Sequence, residues 1–351
     1  HCEVVPIDFV DKNIDYILWA NGIATLVEMA KQYPNIEIEK LEGIYQEGRK
    51  KPKLIEGNLL HPDRQITEKY RANYNYIYHN NCATIKTSFG CPYKCNFCFC
   101  TQITNYSTRD IDDVLDELEE IKEDNVFIVD DNFLVCRDRL IAFCKGLEER
   151  QIKKHYIAFG RADFIAANED VVVLLHKYGF DAFFVGIESF KSTELSDFAK
   201  QSSVEQNIKA INILENNGLQ CYSGLIVAED WVKEDFDTLI KYLNSFKHPL
   251  VNIQPITPMP GTPLFTTYKY PIILDRERYG RWDMAHLAFE PLKMSRRKYY
   301  YHIVRAYLKT SANKTQRKFI RETYGMKVYK RIKKGARKIF FQYLALMINP
   351  R

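Results

Sequence analysis

The stretch ATIKTSFGCPYKCNFCFC, residues 83–100, joins a short β-rich apolar run to a loop that carries four cysteines. The run Thr84–Ser88 is typical of a buried strand. Three of the thiols, Cys91, Cys95 and Cys98, follow it in the spacing C-x3-C-x2-C. In open parallel sheets and barrels, chemistry collects where strands end. The stretch therefore predicts the first strand of such a sheet, with a functional loop at its carboxyl end.

The chain downstream repeats this strand–helix unit. Between the strands lie helical patterns such as Ile111–Ile121, with apolar residues at i, i+3, i+4 and i+7. The five further strand candidates are Val126–Val129, Tyr156–Phe159, Phe183–Ile187, Cys221–Val227 and Val251–Ile256. Six units are too few for a closed eight-unit barrel. The predicted fold is α/β, a partial (β/α)6 TIM-like barrel that stays open.

Composition narrows the class of protein. The 351 residues are 46% hydrophobic and 27% charged, as in an ordinary globular protein. Nine cysteines are too sparse for a secreted disulfide scaffold, and their clustering favours metal binding in a reducing, cytoplasmic setting. The sequence contains no signal peptide and no apolar run long enough to cross a bilayer. Because it begins with His1, we expect it to be an excerpt of a longer protein.

Three regions are predicted. Residues 1–82 resemble the remnant of a small α/β unit, with a strand at Ile14–Leu18, a helix around Ala24–Gln32 and a polar linker around Gly48–Gln65. Residues 83–265 form the partial barrel. Residues 266–351 form a helical extension that ends in a basic amphipathic helix around Lys327–Met347. From residue 293 onward, 18 Lys and Arg face a single acid, Glu322. That helix could pack on the barrel or lie on an anionic membrane surface; nucleic acid is the least favoured partner.

The cysteine loop is the strongest chemical signal. Structural zinc usually takes four ligands, often from two distant pairs, whereas here three thiols lie within eight residues. Three thiolates on one loop suit a [4Fe–4S] cluster with one iron left open for a substrate or cofactor. Structural zinc or a fortuitous cluster of cysteines is the alternative. Cys100 does not fit the spacing of the triad, and we expect it to be an ordinary small residue.

These features resemble the radical S-adenosylmethionine (SAM) superfamily. The C-x3-C-x2-C motif with Phe97 before its last cysteine is similar to the superfamily signature. The segments DDNFLVCRDRL, AFGRADF, FVGIES, GLIVAEDW and ITPMPGTPLF resemble its cobalamin-associated branch. The resemblance covers residues 83–310. It implies a [4Fe–4S] cluster that binds SAM and cleaves it reductively, followed by modification of an unactivated carbon of a small molecule, lipid or peptide, with methyl transfer as one option.

The resemblance also implies a set of cofactor contacts near the strand ends. The residues that it predicts to contact SAM are Phe97, Asp130, Asp131, Asn132, Arg161, Glu188, Ser189 and Gly224. The structural alternative for Glu188 is a carboxylate neutralised by Arg161, and the alternative for Arg161 is a structural ion pair. Catalytic residues beyond these are not predicted.

Two other functions and one cofactor stay open. A tRNA methylthiotransferase would need an additional upstream cysteine triad, but residues 1–82 contain only Cys2 and Cys82. A non-enzymatic iron–sulfur or zinc protein would need a fourth ligand. Cobalamin binding is left undecided, because Asp15–Ile23 stands where relatives carry an acidic D-Y-x-x-x-G-E-G-E segment. The expected partners are the substrate and an electron donor such as a flavodoxin or ferredoxin.

Overall fold

Six parallel strands form the centre of the protein. The structure, a computed structural model, describes residues 3–20, 22–52, 60–311 and 313–349. The six-stranded sheet has the order β1-β4-β5-β6-β7-β8. Its strands are β1 (Cys82–Ile85), β4 (Asn125–Ile128), β5 (His155–Arg161), β6 (Phe180–Glu188), β7 (Gln220–Val227) and β8 (Leu250–Pro255). Two short antiparallel strands, β2 (Ser88–Phe89) and β3 (Ser107–Thr108), form a separate pair beside the cysteine loop.

Helices connect successive strands of the sheet and cover its outer face, and one more short helix follows the last strand. They are α2 (Cys100–Ile103), α3 (Ile111–Glu120), α4 (Arg137–Glu149), α5 (Ala162–Ala167), α6 (Glu169–Lys177), α7 (Ser192–Asp197), α8 (Val204–Asn216), α9 (Lys233–Asn244) and α10 (Pro263–Thr267). The predicted partial (β/α)6 TIM-like barrel is confirmed. All six predicted strands are present, with ends shifted by up to three residues.

The strands bury both faces, as their nearly continuous apolar runs predict. On β6, Phe183, Val185 and Ile187 pack against the helices in the main core. The alternate residues Ala182 and Phe184 face the inside of the curved sheet. This alternation determines which residues near the carboxyl ends of the strands point toward the interior.

The C-terminal region closes the exposed edge of the sheet. Helix α11 (Arg296–Ser311) places the Tyr307 hydroxyl on the edge strand β8, where it accepts from Ile253 N at 2.7 Å. The Tyr343 hydroxyl, on helix α12 (Lys314–Ile348), donates to Ile253 O at 3.2 Å. Two tyrosines thus satisfy edge groups that would otherwise be open to pairing with another strand. Within the described ranges, none of the helices combines the length and apolarity that a bilayer crossing requires.

The N-terminal region differs from its prediction. Helix α1 (Gly22–Gln32) confirms the predicted helix, but the strand predicted at Ile14–Leu18 is reduced to one antiparallel bridge between Leu18 and Ile44. The remaining elements are 3₁₀ helices at Pro6–Phe9, Ile38–Lys40, Arg64–Asn73 and, further along, Tyr279–Arg281. Part of the predicted linker, residues 53–59, lies outside the described residues, as does Cys2. A strand needs partners along its length, and the described residues of this short unit provide one, at Ile44.

Candidate active site

The segment just before the cysteine loop is hydrogen-bonded to a carboxylate at the end of the neighbouring strand β4. The Asp130 carboxylate, 1% exposed, accepts from Thr87 N at 2.6 Å, from the Thr87 hydroxyl at 2.5 Å and from the Ser88 hydroxyl at 2.7 Å. Burial raises the pKa of Asp130, and these hydrogen bonds oppose the rise. Asp130 therefore attaches the end of β4 to the chain just before the loop.

The middle of the loop is held by two other parts of the chain. Asn96 N donates to Phe198 O at 3.2 Å, and Asn96 O accepts from Leu264 N at 2.9 Å. The Phe97 ring meets Phe198 edge-on, with centroids 5.7 Å apart. Phe97, predicted to contact SAM, thus packs against the segment after α7.

Gly90 makes the turn into the loop. Its φ is +66°, a conformation that favours glycine. A Cβ there would lie 2.8 Å from Thr104 O and 2.7 Å from Asn105 O. The backbone after α2 therefore crosses directly over Gly90, and this close approach excludes every side chain.

The three predicted ligands lie on this anchored loop. Cys95 is buried, and Cys91 and Cys98 are partly exposed. Burial raises the pKa of Cys91 and Cys95, and the charges of the other two cysteines also influence the pKa of Cys91. A hydrogen bond with Cys100 lowers the pKa of Cys98 to about 7. In the described part of the chain, no three His, Cys, Asp or Glu side chains lie close enough together to bind a single metal ion. Ligands of a cube bind different irons, so they lie further apart than ligands of one ion.

Arg161 lies beside the loop at the end of β5. Its Nη1 is 3.7 Å from Cys95 Sγ, and its guanidinium lies 3.6 Å from the ring centroid of Tyr93. Asp163 accepts from Nε at 2.9 Å and from Nη2 at 3.0 Å. Neutralisation of Glu188 by Arg161, the structural alternative for Glu188, is wrong, whereas the alternative for Arg161, a structural ion pair, is present with Asp163 as its partner.

Glu188 ends β6 in a strained conformation and pairs with Lys200. Its φ is +59°, and the β6–β7 register shifts between Gly186 and Glu188. The shift is a bulge, a device that redirects side chains near functional sites. Glu188 Oε1 accepts from Lys200 Nζ at 2.8 Å, and both side chains are nearly buried. A Cβ on Gly186 would lie 2.2 Å from Glu188 Oε1 and 2.5 Å from Lys200 Nζ, so the pair lies over this glycine.

The two residues after Asp130 have different environments. Asp131 Oδ2 lies 3.7 Å from Lys86 Nζ, and its Oδ1 is 3.4 Å from Cys100 Sγ. Asn132 is 3% exposed, and neither its Nδ2 nor its Oδ1 finds a hydrogen-bond partner among the described residues. An unpaired buried amide is costly unless a ligand or water satisfies it.

Ser189 and Gly224 differ in whether contacts within the protein account for them. The Ser189 hydroxyl donates to Glu194 Oε2 at 2.5 Å and accepts from Lys191 N at 3.0 Å, so it is fully used inside the protein. A Cβ on Gly224 would meet only Val185 O, at 3.8 Å. Packing within the described chain therefore does not require glycine at 224, whereas a ligand close to the backbone would.

Sequence reasoning missed Lys200. It lies between α7 and α8, and its charge, like that of Arg161, opposes the rise in the Cys95 pKa. No periodicity or motif marks this lysine in the sequence. Only the fold brings it to Glu188.

The family comparison agrees with this geometry. Residues 85–243 match the model of the Radical SAM superfamily. They include the cysteine loop and the carboxyl ends of five of the six parallel strands. The chain contains a radical SAM domain. Enzymes with this domain use a [4Fe–4S] cluster and SAM.

Curated relatives of the chain include methylases and cyclases. The chain is 28% identical to the hopanoid C-3 methylase of Methylococcus capsulatus over 239 residues, which cover 68% of this chain and 46% of that protein. It is 27% identical to the anaerobic magnesium-protoporphyrin IX monomethyl ester cyclase of Rubrivivax gelatinosus over 237 residues, 65% of this chain and 42% of that protein. The chain thus spans less than half the length of both relatives.

A solved structure shares the fold around the radical SAM domain. It is the cobalamin-dependent S-adenosylmethionine radical enzyme OxsB with aqua-cobalamin and SAM bound. The TM-score is 0.59 at 16% identity, over 94% of this chain and 56% of that one. At this identity the similarity concerns the fold alone.

Proposed function

We propose that the chain is a radical SAM enzyme that holds a [4Fe–4S] cluster on Cys91, Cys95 and Cys98. It would use SAM to modify an unactivated carbon of a small molecule, a lipid or a peptide. The supporting observation is that all three thiols lie on one loop, fixed by the Asp130 carboxylate and by Asn96, at the edge of the sheet where the parallel strands end. When reduced, such a cluster supplies the electron that cleaves the SAM sulfonium.

Arg161 and Lys200 place positive charge near Cys95, one of the three proposed cluster ligands. Arg161 lies 3.7 Å from Cys95 Sγ, and both cations oppose the burial-induced rise of the Cys95 pKa. Positive charge beside a thiolate stabilises its ionised, metal-binding form. Each cation is compensated by its own acid, Asp163 or Glu188, so neither introduces an unpaired charge.

The SAM site would lie between the ends of β4, β6 and β7. Asn132 offers a buried amide without a partner in the described chain, suited to the amino or carboxylate group of SAM. Glu188 uses one carboxylate oxygen for Lys200, and the second remains for a hydroxyl or ammonium donor. Gly224 leaves space beside β7 for close approach of a ring. We assign Asp130 and Ser189 to positioning, because their polar atoms are used within the protein.

The remaining predicted contacts act at the margin of this site. The Phe97 ring would shield the loop from water, since it packs on Phe198. Asp131, close to Lys86 and Cys100, is the more accessible of the two aspartates and could approach the SAM amino group. The electron donor would be a flavodoxin or ferredoxin.

The test is reductive SAM cleavage. The protein is reconstituted with iron and sulfide without oxygen and then treated with dithionite and SAM; we expect about four irons per chain and release of 5′-deoxyadenosine. Formation of S-adenosylhomocysteine would indicate methyl transfer. Cys95→Ala should remove both the cluster absorbance and SAM cleavage.

Cys136→Ala is the matched control, because Cys136 is an exposed cysteine at the N-cap of α4 and is not one of the three loop thiols. It should retain full iron content and activity. Stoichiometric zinc after aerobic purification, with no cluster formed on anaerobic reconstitution, would contradict the proposal.

A further inference from the structure

An open apolar cavity lies at the end of the barrel opposite the cysteine loop. Its volume is about 670 Å³, and it lies between the start of β8, the end of α11 and helix α12. Apolar side chains that line it are Leu250, Val251, Leu308, Ile332, Ile339 and Phe340. Because these strand residues are at the amino end of β8, the cavity is separate from the proposed SAM site.

Helix α12 bridges the cavity rather than filling it. Near the two ends of its apolar face, Val328 and Tyr343 are each 4% exposed. Between them Ile339 is 42% exposed, and Leu308, across the cavity on α11, is 51% exposed. The predicted apolar face of this helix therefore packs at its ends and remains uncovered in the middle. Contiguous uncovered apolar surface of this kind usually marks a binding site.

The cavity wall carries only positive charge. Among the described residues, four cations line it, Arg317, Arg331, Lys333 and Arg337, and no acidic residue does. Across the described ranges, none of the four forms an ion pair with a carboxylate. An apolar cavity bordered by uncompensated cations is complementary to a molecule with an apolar chain and an anionic head.

Arg331 is held in place by neutral groups. Its Nη1 donates to Asn75 Oδ1 at 3.1 Å and to the side chain of Asn80, and its Nη2 donates to Ile77 O at 2.6 Å and to His79 O at 3.3 Å. These contacts orient the cation without neutralising it. Burial lowers the pKa of Arg331, which reflects the cost of leaving the charge without a counter-ion.

Thr310 adds an independent sign of a missing ligand. This residue lines the cavity and is 1% exposed, and its hydroxyl has no hydrogen-bond partner among the described residues. Buried hydroxyls are nearly always paired. A polar group near the head of a bound molecule would satisfy it.

We infer that this cavity binds an anionic amphiphile, with its chain against Leu250 and Ile339 and its head bound by Arg337 beside the fixed charge of Arg331. A single-chain lipid phosphate or carboxylate has this chemistry, whether it is free in solution or part of a membrane. The inference does not depend on the proposed enzymatic function, because the site shares no residue with the cysteine loop or the SAM site.

The test uses dodecyl phosphate as the probe, kept monomeric, with dodecanol as the uncharged comparison. Isothermal titration should show dodecyl phosphate binding at least about tenfold tighter than dodecanol, since one charge-assisted hydrogen bond is worth that much. Arg337→Gln should weaken dodecyl phosphate binding about fivefold to tenfold. Lys338→Gln, which changes an exposed neighbour that does not line the cavity, should leave it unchanged. Equal affinity for both probes would overturn the inference.

A second pair of variants tests the cavity itself. Ala336 lines the cavity on α12, so Ala336→Phe should fill it and abolish dodecyl phosphate binding. Ala345→Phe places the same ring at an exposed site of the same helix and should have no effect. With vesicles that contain phosphatidic acid, loss of binding in Ala336→Phe would show that a membrane can supply the ligand. Binding to vesicles and monomers that Ala336→Phe leaves intact would mean surface attraction alone and would overturn the inference.

Discussion

Single residues fix the position of the cysteine loop. Asp130 belongs to a segment that resembles a SAM-binding motif, yet its carboxylate accepts three hydrogen bonds from Thr87 and Ser88. A buried carboxylate that accepts this many hydrogen bonds from the protein has a structural role. The motif thus contains both an anchor, Asp130, and a free amide, Asn132.

The anchor predicts a clear difference between two adjacent aspartates. Asp130→Ala should lower the free energy of unfolding of the apoprotein by roughly 2–4 kcal/mol, because it leaves buried donors of Thr87 and Ser88 unpaired. Asp131→Ala removes a partly exposed contact with Lys86 and a weak one with Cys100 Sγ, and should cost less than about 1 kcal/mol. Urea unfolding measures both. Equal losses would contradict the anchoring role.

Two paired glycines give a second prediction at this scale. Gly186→Ala would push a methyl group into the Glu188–Lys200 pair and should destabilise the protein by roughly 1–3 kcal/mol. Gly224, its register partner on β7, has open space, so Gly224→Ala should leave thermal stability unchanged or slightly higher.

The same two variants separate packing from binding. If SAM approaches β7 as proposed, Gly224→Ala should weaken SAM binding to the reconstituted protein by about tenfold or more, as equilibrium dialysis would measure. A Gly224→Ala variant that binds SAM normally would remove this residue from the proposed site.

At the scale of elements, helix α12 is the clearest case of local sequence deciding shape. It spans Lys314–Ile348, but Gly325 has φ +82° and ψ 167°, so two helical segments meet there at a kink. Glycine is needed at this position, because residues with a side chain rarely adopt that conformation. The kink lets the first segment pack against the base of the barrel through Ile320 and the second span the cavity.

Two glycines of this helix should respond in opposite directions to the same substitution. Gly325→Ala should destabilise the protein by about 1–3 kcal/mol because of backbone strain. Gly335 is helical with no atom near its missing Cβ, so Gly335→Ala should stabilise by up to about 1 kcal/mol. Chemical unfolding followed by circular dichroism distinguishes them. Stabilisation by both substitutions would mean that α12 is straight.

At the scale of the whole molecule, the sheet was predictable and the connections at its rim were not. Strands such as Phe180–Glu188 are apolar at nearly every position because both faces are buried, and that pattern is visible in the sequence. The Lys200 contact with Glu188 depends on how the segment between α7 and α8 folds back, which no local pattern encodes. The strand predicted at Ile14–Leu18 is reduced to one bridge, because strand formation depends on neighbouring segments that can pair with it, and the sequence of the segment does not reveal them.

The cysteine loop shows the same contrast between what the sequence predicts and what only the fold determines. Their spacing predicted a shared loop after β1, and the fold places them there. The spacing could not predict that Asn96, between two of them, would be bonded to Phe198 and Leu264 from distant segments. Those long-range contacts decide how firmly the loop is held.

The anchored loop has a consequence for maturation of the protein. Many small metal-binding domains remain unfolded until the ion arrives, so that binding and folding are one event. Here hydrogen bonds within the polypeptide hold the backbone near Cys95, between Asn96 and both Phe198 and Leu264 and between Thr87 and Asp130. An acceptor prepared in this way could receive a preassembled cluster from a carrier without losing further chain entropy. The supply of clusters and the absence of oxygen, rather than refolding of the polypeptide, would then set the rate at which newly made chains become active.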